Sequence, residues 1–113
     1  MSGITTHVLD TARGRPAARV SVILENRAAD GAWVKVGSGA TDADGRLRNL
    51  TEGKHLEPGV FRLTFDTQSY FRGLRVDAFF PEVSITFEIE DPSEHYHVPL
   101  LLSPFGYSTY RGS

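Results

Sequence analysis

HYHVPLLLSPFGYSTYRGS, running from His95 to Ser113, is the stretch on which the reading of this chain turns. Side chains of a strand alternate between two faces, so Tyr96, Val98, Leu100 and Leu102 fall on one side. His95, His97, Pro99 and Leu101 fall on the other. The first set is almost wholly apolar and asks to be buried. The second carries two imidazoles, for which a core strand has no packing reason. Ser103-Pro104-Phe105-Gly106 reads as a bend, and Tyr107 to Tyr110 resumes as a second extended run. Chain ends are usually loose. This one stays aromatic and β-prone almost to Ser113, which predicts a tail held in place.

Working outward, the remaining segments also read as strands. Ile4 to Asp10 (ITTHVLD) is β-branched, with His7 on the same face as Thr5 and Leu9. Thr11 to Pro16 is a turn. Val20, Val22 and Leu24 give the next buried face, Asp30-Gly31 marks a hairpin, and Trp33 to Gly39 returns as its partner. Asp42-Ala43-Asp44-Gly45 is another tight turn, leading into Arg46 and Leu47. Phe61, Leu63 and Phe65 point inward, with Arg62, Thr64 and Asp66 outward. Thr67 to Phe80 fits a helical period better than alternation, predicting one short helix capped by Thr67 or Ser69 and weakened at Gly73. Val83 to Ile89 alternates cleanly as a half-buried strand. Seven or eight short strands with turn signals between them predict an all-β, two-sheet antiparallel sandwich with one short helix.

Composition bounds the function classes. A chain of 113 residues has room for one domain, and 40% hydrophobic with 23% charged residues is an ordinary globular balance. A formal charge of -2 leaves no electrostatic footprint for nucleic acid or an anionic membrane. Zero cysteines removes disulfides, thiolate metal sites and a thiol nucleophile together. No apolar run approaches the roughly 20 residues of a membrane span, and no basic start precedes an apolar stretch at the N-terminus. The expectation is a cytoplasmic protein.

Each candidate motif has an ordinary alternative. Asp42-x-Asp44-Gly45 resembles the start of a calcium loop, but Leu47 and Gly53 stand where that loop needs glycine and glutamate, so turn chemistry is the better reading. His95-x-His97 could supply two metal ligands from one strand face, with His7, His55 or a carboxylate as a third. The expectation is nevertheless that no metal is bound. No Gly-x-Ser-x-Gly elbow supports a serine nucleophile. His7 and His97 sit mid-strand on faces the core does not need, and Arg46 stands beside a tight turn. By themselves these are surface residues. Were the three to meet, two imidazoles could trade a proton near neutral pH, and a guanidinium could hold a planar, carbonyl-rich molecule by parallel hydrogen bonds.

Three pieces carry a resemblance: Thr6-His7-Val8-Leu9-Asp10 with Gly14-Arg15-Pro16-Ala17; Thr41 to Arg46; and the whole run from His95 to Ser113. Together they resemble the transthyretin-related 5-hydroxyisourate hydrolases of purine degradation. The ending Tyr110-Arg111-Gly112-Ser113 is the most specific, because the hormone-carrying transthyretins lack it. The resemblance implies a prealbumin-like sandwich, a homotetramer with sites at subunit interfaces, and a first strand sharing a sheet with the last two. It further implies metal-free and cofactor-free opening of the ring amide of 5-hydroxyisourate. His7, Arg46, His97 and Ser113 would be the catalytic set, with Tyr110, His7 and Arg46 binding the substrate. A ligand carrier on the same fold and a non-catalytic accessory sandwich are the rival readings.

Overall fold

In the computed structural model, residues 3–113 are described. The strands are β1 (Gly3–Asp10), β2 (Arg15–Pro16), β3 (Ser21–Arg27), β4 (Trp33–Ala40), β5 (Arg46–Leu47), β6 (Gly59–Phe65), β7 (Val83–Ile89), β8 (His95–Ser103) and β9 (Gly106–Thr109). One helix, α1 (Thr67–Gly73), lies between β6 and β7. A five-stranded sheet is ordered β2-β1-β8-β9, with β5 also paired to β1, and a four-stranded sheet is ordered β4-β3-β6-β7. The first strand therefore shares a sheet with the last two.

The inward alternation predicted for β1, β3, β6, β7 and β8 is what closes the sandwich. Ile4 and Val8 of β1, with Val98, Leu100 and Leu102 of β8, join Val22, Leu24, Phe61, Leu63, Phe65 and Val83 from the other sheet in one buried cluster. Burying a large aliphatic or aromatic side chain of this kind contributes about 1.5–3 kcal/mol. Most pairings are antiparallel hairpins or meanders. β1 and β8 run parallel, with Thr5 beside His97 and His7 beside Pro99. Almost the whole chain lies between these two strands, so no short turn dictates their sense.

The helix differs from expectation in extent and cap. It ends at Gly73, where Val76 N–H and Leu74 N–H both return to the Phe71 carbonyl. Residues to Phe80 follow as irregular chain. The cap is Asp66, whose carboxylate accepts from the Ser69 amide at 3.1 Å and the Ser69 hydroxyl at 2.7 Å. A carboxylate just ahead of the helix reaches the free amides of its first turn, which Thr67 and Ser69 are placed too late to do. The Thr67 hydroxyl donates instead to the Phe80 carbonyl.

Candidate active site

The site is built on β1. Its outward side chains are Thr5, His7 and Leu9, and its neighbours on either side set what faces them. Across the parallel ladder to β8, His95 stands beside Gly3, His97 beside Thr5 and Pro99 beside His7. Across the antiparallel ladder to β5, Arg46 stands directly opposite His7. Residues in register on one sheet face lie about 4.5–5.5 Å apart at Cβ, and diagonal ones about 7–8 Å. His7 is thus the immediate neighbour of Arg46 and the diagonal neighbour of His97.

Turn chemistry delivers Arg46 to that position. The Asp42 carboxylate accepts from the Asp44 amide at 2.8 Å and the Arg46 amide at 3.0 Å, and Asp42 N–H donates to the Arg46 carbonyl. Those amide bonds, the one from Arg46 foremost, hold the Asp42 carboxyl below its ordinary pKa of 3.8. Gly45 closes the turn at φ +76°, and a Cβ there would meet the Val8 carbonyl oxygen at 2.4 Å. The same turn orients His7, because the Asp44 carbonyl lies 2.8 Å from His7 Nε2. A carbonyl only accepts, so Nε2 carries the hydrogen and the neutral ring keeps its lone pair on Nδ1.

His97 is held from two sides. Its Nδ1 lies 2.8 Å from the Thr5 hydroxyl, which also lies 3.0 Å from Nε2 of His95. The two imidazoles are nearly parallel, 6.5 Å between centroids. From the C-terminal side, the Gly112 amide donates to the His97 carbonyl at 2.7 Å. A Cβ on Gly112 would meet His97 Cδ2 at 2.6 Å, so only glycine lets the tail lie against the ring. Burial, then the nearby charge of Arg46, then His7 and His95, hold the His97 imidazole below its ordinary 6.5.

A cavity of about 660 Å³ opens on this face, walled by Thr5, Arg46, Arg48, His95, His97 and Ser113 among others. The cavity wall thus brings together three of the residues singled out from sequence, Arg46, His97 and Ser113. His7 is not in the wall but is paired with Arg46, which is. Tyr110 lies elsewhere in the single chain, 57% exposed and bordering a second cavity with Phe87, Tyr96 and Arg111. Thr5 and Arg48 went unremarked as site residues. The alternation of β1 did place Thr5 on the face of His7, and that was the available signal. Arg48 follows β5 in a loop with no periodicity to read. Among the described residues no three His, Asp or Glu groups gather as a metal's ligand set would.

A two-sheet sandwich whose first strand carries His7, beside Arg46 of β5 and diagonal to His97 of β8, is the class of protein seen here. The chain belongs to the HIUase/transthyretin family, whose model matches residues 4–112. It is 47% identical over 110 residues to the 5-hydroxyisourate hydrolase of Salmonella typhimurium, covering 97% of this chain and 80% of that one. Among solved structures it resembles the 5-hydroxyisourate hydrolase of Klebsiella pneumoniae, with a TM-score of 0.87, 34% identity and full coverage of both chains. It also resembles sea bream transthyretin in complex with thyroxine, with a TM-score of 0.91 and 33% identity, over 96% of this chain and 93% of the other. A 5-hydroxyisourate hydrolase and a transthyretin bound to thyroxine thus share its fold.

Proposed function

We propose that this chain is a 5-hydroxyisourate hydrolase, adding water to the ring amide to give 2-oxo-4-hydroxy-4-carboxy-5-ureidoimidazoline. The observation that carries the reading is the register of β1: it pairs His7 with Arg46 on one side and Thr5 with His97 on the other. An apolar hormone would gain little from a wall of imidazole, guanidinium and carboxylate. A planar, oxygen-rich heterocycle finds a hydrogen-bond partner in each.

In this reading Arg46 binds the substrate oxygens and stabilises the negative charge that develops on the attacked carbonyl. His7 and His97 manage the protons of the attacking water and the leaving nitrogen. His7 is the base: its Nε2–H is tied to the Asp44 carbonyl, which leaves Nδ1 free to accept. His97, whose proton affinity burial and the charge of Arg46 lower, lies diagonal to it and takes the proton that the leaving nitrogen does not keep. Ser113 lines the cavity and helps position water. Base, acid and anion clamp are all side chains, so the reading calls for no metal and no organic cofactor.

The working form is a homotetramer. Tyr107 and Thr109 of β9 stand opposite Leu102 and Leu100, on the inner side of the sheet, yet Tyr107 is 42% exposed, and Phe79 and Phe105 are 71% and 72% exposed. Apolar groups left open beside an edge strand are natural contacts for a second copy. In that assembly Tyr110 would reach the site of a neighbouring subunit, with the protein in the cytoplasm, where purine catabolism supplies the substrate.

The test is to mix the protein with freshly generated 5-hydroxyisourate and follow its ultraviolet decay. A hydrolase accelerates the decay over buffer, and deletion of Tyr110 to Ser113 abolishes the acceleration. Decay at the buffer rate, with tight thyroxine binding instead, would make the protein a carrier.

A further inference from the structure

The Thr5 hydroxyl has a single hydrogen and two ring nitrogens to satisfy, Nδ1 of His97 at 2.8 Å and Nε2 of His95 at 3.0 Å. When both rings are neutral it donates to one and accepts from the other. The tautomers of the two rings are therefore locked together. If Nδ1 of His97 carries hydrogen, it donates to Thr5, Thr5 donates to His95, and Nε2 of His97 is the free lone pair. If Thr5 donates to His97 instead, the hydrogen of His97 sits on Nε2. His97 is half-buried, whereas His95 is exposed at the mouth of the same cavity. The hydroxyl thus joins an inner imidazole to an outer one.

We propose that Thr5 and His95 form a proton wire connecting His97 with bulk water. This rests on the hydrolase reading, because hydrolysis of an amide to a carboxylate near neutral pH must discharge one proton per turnover. Water brings two, and the leaving nitrogen keeps one. In the wire, Nε2 of His97 takes a proton from the pocket and the Nδ1 hydrogen passes to Thr5 Oγ1. The Thr5 hydrogen passes to Nε2 of His95, and His95 releases its Nδ1 hydrogen to solvent. One proton enters, one leaves, and every group remains neutral. Both rings end in their alternate tautomers, which exchange with water resets once product has gone. Other charged or titratable side chains around the pair include His7, Arg46, Arg48, Glu52 and, next to His95 in the chain, Glu94. Among the described residues, Thr5 is the hydroxyl hydrogen-bonded to a ring nitrogen of His97.

Thr5 and His95 are relay residues acting through His97, so the test reads proton delivery and not turnover alone. In dilute, poorly buffering medium, His95→Gln and Thr5→Val are expected to lower kcat by about tenfold or more with KM little changed. Added imidazole buffer, which can carry the proton from outside, restores the rate of both variants, and Thr5→Ser recovers turnover without it. Wild type is insensitive to buffer concentration. Unchanged kcat in His95→Gln, or a loss that imidazole cannot restore, overturns the wire. A second readout does not depend on the reaction. In ring-nitrogen NMR of the resting protein, titrating His95 shifts the Nδ1 resonance of His97 in wild type and Thr5→Ser but not in Thr5→Val. Absence of that coupling in wild type overturns the wire. Its presence in a protein that fails to hydrolyse 5-hydroxyisourate would leave the wire standing and remove only the hydrolase reading.

Discussion

His7 and His97 carry the proposed chemistry at the smallest scale, and each ring is held by a hydrogen-bond partner. His7 has its tautomer fixed by the Asp44 carbonyl. His97 is kept below 6.5 by burial and by the charges of Arg46, His7 and His95. As pH falls, the unfolded chain binds the proton at this position before the folded one does. The contribution to stability is therefore fully present above 6.5 and is lost as pH falls below it, through the folded value. Activity follows the same sign. The ionisation that His97 contributes to the acid limb of kcat/KM should lie below the 6.5 of an ordinary imidazole, and Arg46→Gln, which removes one opposing charge, should move it up. An acid limb that does not move in that variant would separate Arg46 from His97. Gly112 gives a steric counterpart. In Gly112→Ala the new methyl pushes on the His97 ring, so kcat/KM should drop at least about tenfold while the melting temperature changes little. Unimpaired kinetics would show that the tail does not set the ring.

At the scale of elements, strands are legible in the sequence where side chains alternate and obscure where they do not. β1, β3, β6, β7 and β8 were legible because period-two burial is written into Ile4-Thr6-Val8, Val22-Leu24, Phe61-Leu63-Phe65, Val83-Ile85 and Tyr96-Val98-Leu100-Leu102. The helix was overextended because Leu74 and Val76 keep the helical spacing of apolar residues. Arg75, at φ 58°, shows that the backbone has already left the helix. Leu50 is buried at 2% exposure in the irregular chain after β5, where a lone apolar residue makes no period to read. The parallel sense of β1 and β8 was likewise beyond local pattern, being a property of residues about ninety apart in the chain. Two elements carry further expectations. Asp42→Ala removes the carboxylate that accepts from the Arg46 amide; it should lower kcat/KM by loosening both Arg46 and the Asp44 carbonyl. Wild-type kinetics in that variant would mean that the turn does not position them. Tyr70→Phe removes a 2.7 Å bond to Asp10, a carboxylate buried at 1% exposure. It should cost about 1–3 kcal/mol in denaturant unfolding and leave turnover intact, because that pair pins α1 to the end of β1 on the side away from the cavity.

For the whole molecule, the candidate site exists because the two ends of the polypeptide meet at β1. The N-terminal strand lies between β5 from the middle of the chain and β8 from its end. His7, Arg46 and His97, each unremarkable where it stands in the sequence, become neighbours only through those two ladders. Their types and faces were legible beforehand; their convergence came through family resemblance, since no local pattern encodes which strands pair. The exposed Phe79, Phe105 and Tyr107 are the contacts proposed for further copies of the chain. Light scattering after size exclusion should return four times the 12.5 kDa chain mass, for wild type and for the histidine variants alike. A monomer with full activity would remove the neighbouring subunit, and with it Tyr110, from the site.

The shared site is tested most directly by kcat/KM for 5-hydroxyisourate decay in His7→Ala, His97→Ala and the double variant. Two histidines working on one water predict a loss of about 10²–10⁴ in each single variant, and a double variant hardly worse than the poorer single one. Small losses, or losses that multiply in the double variant, would mean that His7 and His97 act apart.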